Sequence, residues 1–418
     1  MLLIKSGYVY GASSRTADIL ISDGKIAAIS GDIPKTGDTA VLNASGLVVA
    51  PGLVDMHVHF RDPGYEYKED IMTGAAAAAA GGVTTCCCMP NTFPVADNAE
   101  TIKYIVDKAK GAPVQVLPYG AVTLGQKGRE LTDFAMLKDA GAVALSDDGN
   151  PIQSAELMRS ALRLAQEYDL LIITHCEDAE MVKNNAVNEG AISRELGIPG
   201  RPAIAEEIMV ARDAMLAAQT GARVHIAHVS TAGSVEIIRQ AKAAGVSITA
   251  ETCPQYFTLT EDEILKQGPT ARVNPPLRTA ADVDAIIRGL ADGTIDAIAT
   301  DHAPHSPEEK ALPLVDAPGG MIGLETSLAL ALKFLYHTGE LSLNKIIALM
   351  SANPARILGI NAGTLKAGDS ADIVIFDPNE EWTVDPDRLK SKARNTPYAG
   401  MNLRGKVKHT ISRGNVDF

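Results

Sequence analysis

Short apolar runs rich in Val, Ile, Ala or Thr recur through the middle of the chain, each ending in polar residues and leading into a stretch with helical signals. Eight runs stand out: Val54–Phe60, Val83–Met89, Val114–Val122, Ala142–Ser146, Leu170–His175, Arg223–Val229, Ser247–Thr252 and Ile295–Thr300. Between them, Thr73–Ala80, Ser154–Glu167, Glu206–Gln219, Ser234–Ala244 and Ala280–Leu290 read as helices. Eight strands alternating with helices predict an α/β fold of the (β/α)8 TIM-like barrel type. The low-complexity run Ala75–Ala80 fits a buried helix that needs close backbone approach.

The texture changes at both ends. Leu2–Tyr10, Asp18–Ser22, Lys25–Ser30 and Leu47–Ala50 read as short strands broken by Gly and Asp, with a hairpin turn at Ser22–Lys25. Ala371–Phe376 and Val407–Ser412 repeat the pattern late in the chain. Neither end has enough apolar surface to fold alone. The expectation is a small β-sandwich domain built jointly from residues 1–50 and 351–418, beside a barrel over residues 51–350.

Composition narrows the class. A chain of 418 residues is long for one domain, but a barrel alone takes about 250 residues. No run of about 18 apolar residues suggests a membrane span, and the N-terminus lacks the basic and apolar regions of a signal peptide. The net charge of −13 argues against nucleic acid as the main partner, since phosphate binding needs a basic face. Three of the five cysteines are contiguous (Cys86, Cys87, Cys88) and no CxxC occurs. That is no disulfide framework, and it points to a reducing, cytoplasmic setting.

Barrel chemistry sits at the C-terminal ends of strands. Six of the nine histidines fall there: His57, His59, His175, His228, His302 and His305. Side chains two apart on a strand share a face, so His57 and His59 can reach one metal, and Arg61 follows on the same face. His175, His228 and Asp301 end other strands, and a mouth lined by histidines and carboxylates suits Zn²⁺. His225 is expected in the core, His302 as a hydrogen-bond support, and His337 and His409 at the surface. Cys176 and the cysteine run are expected to be buried and inert.

DMHVHFRDPG (Asp55–Gly64), MPNT (Met89–Thr92) and ATDHAPHSPEEK (Ala299–Lys310) resemble the dihydroorotase family of the amidohydrolase superfamily, in its class I bacterial type. The Asp147-Asp148-Gly149 triplet, the NPPLR at Asn274–Arg278 and both termini agree, so the resemblance spans essentially the whole chain. It implies up to two Zn²⁺ per chain, one held by His57, His59 and Asp301, the other by His175 and His228. Many relatives bridge the ions with a carbamylated lysine on strand four. The run Ala142–Gly149 has none, so the resemblance gives the bridge to a carboxylate, Asp148 before Asp147. It further implies a carboxylate grip by Arg61, Asn91 and His305, ring contacts from Asn274, Gly319 and Gly320, and proton transfer by Asp301.

The implied reaction is the reversible cyclisation of N-carbamoyl-L-aspartate to L-dihydroorotate in de novo UMP biosynthesis. A homodimer and an aspartate carbamoyltransferase partner stay open. Two other readings compete. One is an allantoinase or hydantoinase, which shares the histidines but usually keeps the strand-four lysine and lacks the Arg61–Gly64 and His305 context. The other is a non-enzymatic scaffold for aspartate carbamoyltransferase, a kind of relative that loses metal histidines; here all are present.

Overall fold

The computed structural model describes residues 1–10, 15–183 and 185–418. The first fifty residues form β1 (Leu2–Val9), β2 (Arg15–Ser22), β3 (Lys25–Ser30), β4 (Ala40–Asn43) and β5 (Val48–Pro51). The body adds β6 (Leu53–Val58), β7 (Val83–Cys88), β8 (Gln115–Pro118), β9 (Leu145–Ser146), β10 (Ile172–Thr174), β11 (Val187–Asn188), β12 (Gly200–Arg201), β13 (Val224–Ile226), β14 (Ile248–Thr252) and β15 (Ala297–Ile298). The chain then returns through β16 (Ile373–Thr383), β17 (Asn402–Ser412) and β18 (Asn415–Val416). All eight apolar runs overlap a strand of the body. β4, β11, β12 and β18 were not anticipated; each is only two to four residues long.

The two ends do pair. Their strands run β18-β17-β16-β5-β1-β2-β3 across one sheet, with β4 added beside β1. The junction is β5 against β16, where Val48–Pro51 meets Phe376–Ile373 antiparallel. Ile4, Ile19, Ile26, Val49, Ile373, Ile375 and Ile411 form the sheet's own buried cluster. Val374 and Phe376 point the other way, into the core of the body, as strand alternation dictates.

In the body, β6-β7-β8 form one parallel sheet and β15-β14-β13-β10-β9 another. Parallel bridges Gly120↔Leu145 and Val58↔His302 link the two. Helices return the chain between strands and are capped as their sequences direct. Asp70, Ser154, Thr231 and Thr279 accept backbone N–H bonds at the starts of Ile71–Ala80, Ala155–Glu167, Ala232–Ala243 and Ala280–Asp292. The Ala-rich helix is packed tightly: a Cβ on Gly74 would run into the Phe60 ring. Among the described residues, no helix is long and apolar enough to cross a membrane. Because the body strands are parallel, their C-terminal ends, and the polar residues that follow, gather on one side.

Candidate active site

His57 lies on β6, Asp148 two residues past β9, and His175 directly after β10. His228 follows β13 and Asp301 follows β15, both with left-handed backbone (φ 35° and 49°). Non-glycine residues rarely take that conformation, and it clusters at functional sites. Asp55 ties the first and last body strands together, its Oδ1 accepting from His57 N at 3.1 Å and Thr300 N at 3.2 Å. Burial pushes the Asp55 carboxyl up to about 6. His59 is fixed by its N–H, which donates to His302 O at 2.8 Å.

These placements bring the six expected polar residues into one buried cluster. Asp148 is at its centre: its Oδ1 lies 3.6 Å from His57 Nε2, 3.5 Å from His175 Nδ1 and 3.4 Å from His228 Nε2, and its Oδ2 lies 3.4 Å from His59 Nε2. Asp301 Oδ1 is 3.0 Å from His59 Nε2 and 3.6 Å from His57 Nε2. His175 Nδ1 and His228 Nε2 approach to 2.7 Å. Asp147 turns away, accepting from Val122 N at 2.8 Å, from Thr123 N at 3.1 Å and from the Thr123 hydroxyl.

Two orienting partners, Glu251 and Glu177, escaped the sequence reading, and a third, Asn91, was expected only at the substrate carboxylate. Glu251, on β14, accepts from His57 Nδ1 at 2.6 Å, and Asn91 Oδ1 accepts from His59 Nδ1 at 2.9 Å. With Nδ1 donating in each ring, Nε2 presents its lone pair to the cluster. Glu177 faces His175 Nε2 at 3.6 Å. A carboxylate inside the apolar run Ser247–Thr252 was the available signal for Glu251.

The donor set fits a divalent metal. Among the described residues, His57 Nε2 and Asp148 Oδ1 are buried without a hydrogen-bond partner, a costly arrangement unless something binds there. Ligand atoms of His57, His59 and Asp301 lie within 4.8 Å of one another, as do those of His57, Asp148 and His228. The electrostatics agree. Burial opposes charge on His57, yet the carboxylates of Asp148 and Glu251 push its imidazole well up. Burial would raise Asp148, yet His57, His175 and His228 hold it well below the usual carboxylate range. Such a site favours added positive charge.

The expected mouth residues lie around this cluster. Arg61 reaches it by a left-handed turn (φ 61°), because β6 has ended at Val58 and strand alternation no longer applies. Its Nε donates to Pro304 O at 3.2 Å, and its Nη2 lies 3.4 Å from His305 Nε2. His305 Nε2–H donates to Gly319 O at 2.9 Å. Burial and the charges of Arg61, Lys68 and Lys310 pull His305 down to about 2, so it is neutral. Asn274 accepts from Arg201, and its Nδ2 is 3.4 Å from His175 Nε2. Gly320 has φ 142°, and a Cβ there would stand 3.0 Å from His305 Nε2.

The bystanders fall largely as expected. His225 is buried and bonds Thr249 Oγ1 at 2.8 Å. His302 accepts from Gly323 N at 3.2 Å and faces Glu69 at 3.5 Å, away from the cluster. His337 and His409 are half-buried rather than exposed. The cysteines are free and buried, and burial pushes the Cys86 and Cys176 thiols well up.

With this geometry established, three comparisons bear on it. A family profile described as "Dihydro-orotase-like" matches residues 46–234. A dihydroorotase of Citrifermentans bemidjiense is 51% identical over 99% of this chain and 99% of its own. One of Acetivibrio thermocellus is 50% identical over 99% and 98%. Among solved structures, an L-hydantoinase (dihydropyrimidinase) from Arthrobacter aurescens superposes with a TM-score of 0.88 at 28% identity, covering 99% of this chain and 95% of that one.

Proposed function

Because this chain belongs to the dihydroorotase family, we propose that its buried cluster catalyses the reversible cyclisation of N-carbamoyl-L-aspartate to L-dihydroorotate. The observation that carries the reading is Asp148 at the centre of four histidines, where a lysine-bridged relative would need a longer side chain. Arg61 beside His305 at the mouth supplies the carboxylate-binding charge. We read the two bridged parallel sheets as one closed (β/α)8 barrel over residues 51–350. The terminal sheet is read as a sandwich from 1–50 and 351–418.

Up to two Zn²⁺ would be held by His57, His59 and Asp301 on one side and His175 and His228 on the other, with Asp148 shared. Bound metal supplies Lewis acidity, making a water easier to deprotonate and the ring carbonyl more electrophilic. The chain's residues do the rest. Asp301 Oδ1 faces His57 and His59, which leaves Oδ2 to take a proton from the attacking water. The same atom returns that proton to the ring nitrogen as the C–N bond breaks. In cyclisation the order reverses: Asp301 takes the proton from the ureido nitrogen and delivers it to the departing oxygen. Ring closure converts a dianion and a proton into a monoanion and water, so acid favours the ring. The planar fork of Arg61 grips the α-carboxylate, with Asn91 and His305 beside it. Asn274, Gly319 and Gly320 hold the ring.

The setting we assign is the cytoplasm and de novo UMP synthesis, with a second copy of this chain and aspartate carbamoyltransferase as candidate partners. Hydantoin or dihydropyrimidine hydrolysis is the reading that likeness of fold favours. Metal content per chain, measured with turnover of dihydroorotate, allantoin and hydantoin, decides between them. Turnover of hydantoin but not dihydroorotate would overturn the proposal.

A further inference from the structure

Lys310 closes the short helix Pro307–Lys310 and is only 9% exposed. Glu309, next to it, turns instead to Lys68 at 2.7 Å. Among the described residues, no carboxylate lies within ion-pair distance of Lys310. Its Nζ donates to three backbone carbonyls: Arg272 O at 3.2 Å, Pro318 O at 3.0 Å and Gly320 O at 3.0 Å. Burial and the charge of Arg272 pull its ammonium down to about 7. A buried ammonium without a counter-ion is costly, and neutral donors could tie loops together more cheaply. Asn395 does so in the same place. Its Nδ2 donates to Gly320 O at 3.0 Å and Ala303 O at 3.2 Å, and its Oδ1 accepts from His305 N at 3.2 Å.

The carbonyls that Lys310 holds belong to the two loops carrying Asn274, Gly319 and Gly320. Gly320 N donates to Arg272 O at 2.9 Å, and a Cβ on Gly319 would stand 3.3 Å from Asn274 N. In a trans peptide the N–H points opposite to the C=O. Drawing Pro318 O toward Lys310 therefore turns the Gly319 N–H to the opposite side and polarises it.

We propose that Lys310 is a positioning residue for substrate recognition: it fixes the Arg272–Asn274 and Ala317–Gly320 loops and aims the Gly319 N–H at a substrate oxygen, with Asn395 as its neutral helper. This rests on the cyclase reading above.

The test is steady-state kinetics on dihydroorotate with the metal-loaded full chain. Lys310→Met keeps the length and removes the donors. It should raise KM about tenfold, the scale of one charged hydrogen bond, with kcat within about threefold. Metal content should not change. Asn395→Ala leaves Lys310 in place and should raise KM by less, about threefold. An unchanged KM in folded Lys310→Met overturns the inference, as does a fall in kcat alone. If Lys310→Met does not fold, Asn395→Ala decides on the same split. Loss of folding in both marks a purely structural clip and also overturns it. A wild type that does not turn over dihydroorotate sinks the cyclase reading together with this inference, whereas an unmoved KM sinks this inference alone.

Discussion

Two buried aspartates show how the terminal sheet and the strand ends of the body differ. Asp18, on β2, is 2% exposed, and its oxygens accept from Lys5 Nζ at 2.6 Å and from Ser6 N and Ile33 N at 2.8 Å. Asp148 is 4% exposed, yet its Oδ1 has no hydrogen-bond partner among the described residues and faces three imidazoles. Equal burial thus goes with opposite bonding. Around Asp18 in the terminal sheet the polar groups are satisfied within the fold, and stability explains them. At the strand ends they are left wanting a cation, which stability alone does not explain.

The contrast breaks most visibly at its centre. Asp148→Ala should abolish stoichiometric metal binding by elemental analysis and take turnover below detection, while Asp147→Ala, whose carboxylate serves Val122 and Thr123, should be milder. The reverse ranking would move the bridge to Asp147. Activity should also be indifferent to bicarbonate, since no lysine awaits carbamylation. Next comes Asp301→Asn, which keeps the shape but cannot accept a proton. It should lose about 10²–10⁴-fold in both directions, as removal of a positioned acid/base does. Near-normal rates with metal bound would show that another group moves the proton.

Arg61→Met should weaken both dihydroorotate and carbamoyl-aspartate through KM, by about 1.5–3 kcal/mol for a charged hydrogen bond. Dihydrouracil, which lacks the carboxylate, should be nearly indifferent. Equal losses on both rings would mean that Arg61 supports the fold, not the substrate. The smallest effect belongs to the other aspartate. Asp18→Asn should leave KM untouched, cost about 1 kcal/mol for the bond at Ile33 N and also lose the pairing of Oδ2 with the Lys5 ammonium. Burial alone would raise Asp18, but Lys5, Ser6 and Ile33 hold its pKa below the ordinary value. Its stabilisation is therefore present above the unfolded carboxylate pKa of about 4 and lost as pH falls through the folded value. Thermal melts at neutral and acid pH should show the gap between wild type and variant closing in acid. A gap that widens would contradict the sign.

The features that sequence made legible were those written locally. Apolar runs ending in His or Asp announced β6, β9, β10, β13 and β15 together with the residues that now cluster. The alternation of Leu2–Tyr10 and Ala371–Phe376 announced the shared sheet. What stayed hidden depends on distant partners. Glu251 meets His57 across 194 positions and Asn395 meets His305 across 90, and nothing near either residue marks its partner. β4 was missed because Ala40–Asn43 is short and mostly exposed, with no buried face to impose alternation. Arg61 was placed at the mouth for the wrong geometric reason: a left-handed turn, not strand periodicity, puts it there.

The seam between β5 and β16 also has a kinetic meaning. Val49 and Ile375 are partners, yet more than three hundred residues of chain are made between them. On a ribosome, β1 to β5 emerge first and must wait for the whole body before the strand that completes their sheet appears. Until then β5 offers an unsatisfied edge, the kind of surface on which nascent chains stick to one another. A body that collapses early and carries its N-terminal strands as a docked passenger would shorten that exposure. Contacts of such long sequence separation form late and slowly, so the arrival of β16 sets when the β5 edge stops being an aggregation hazard.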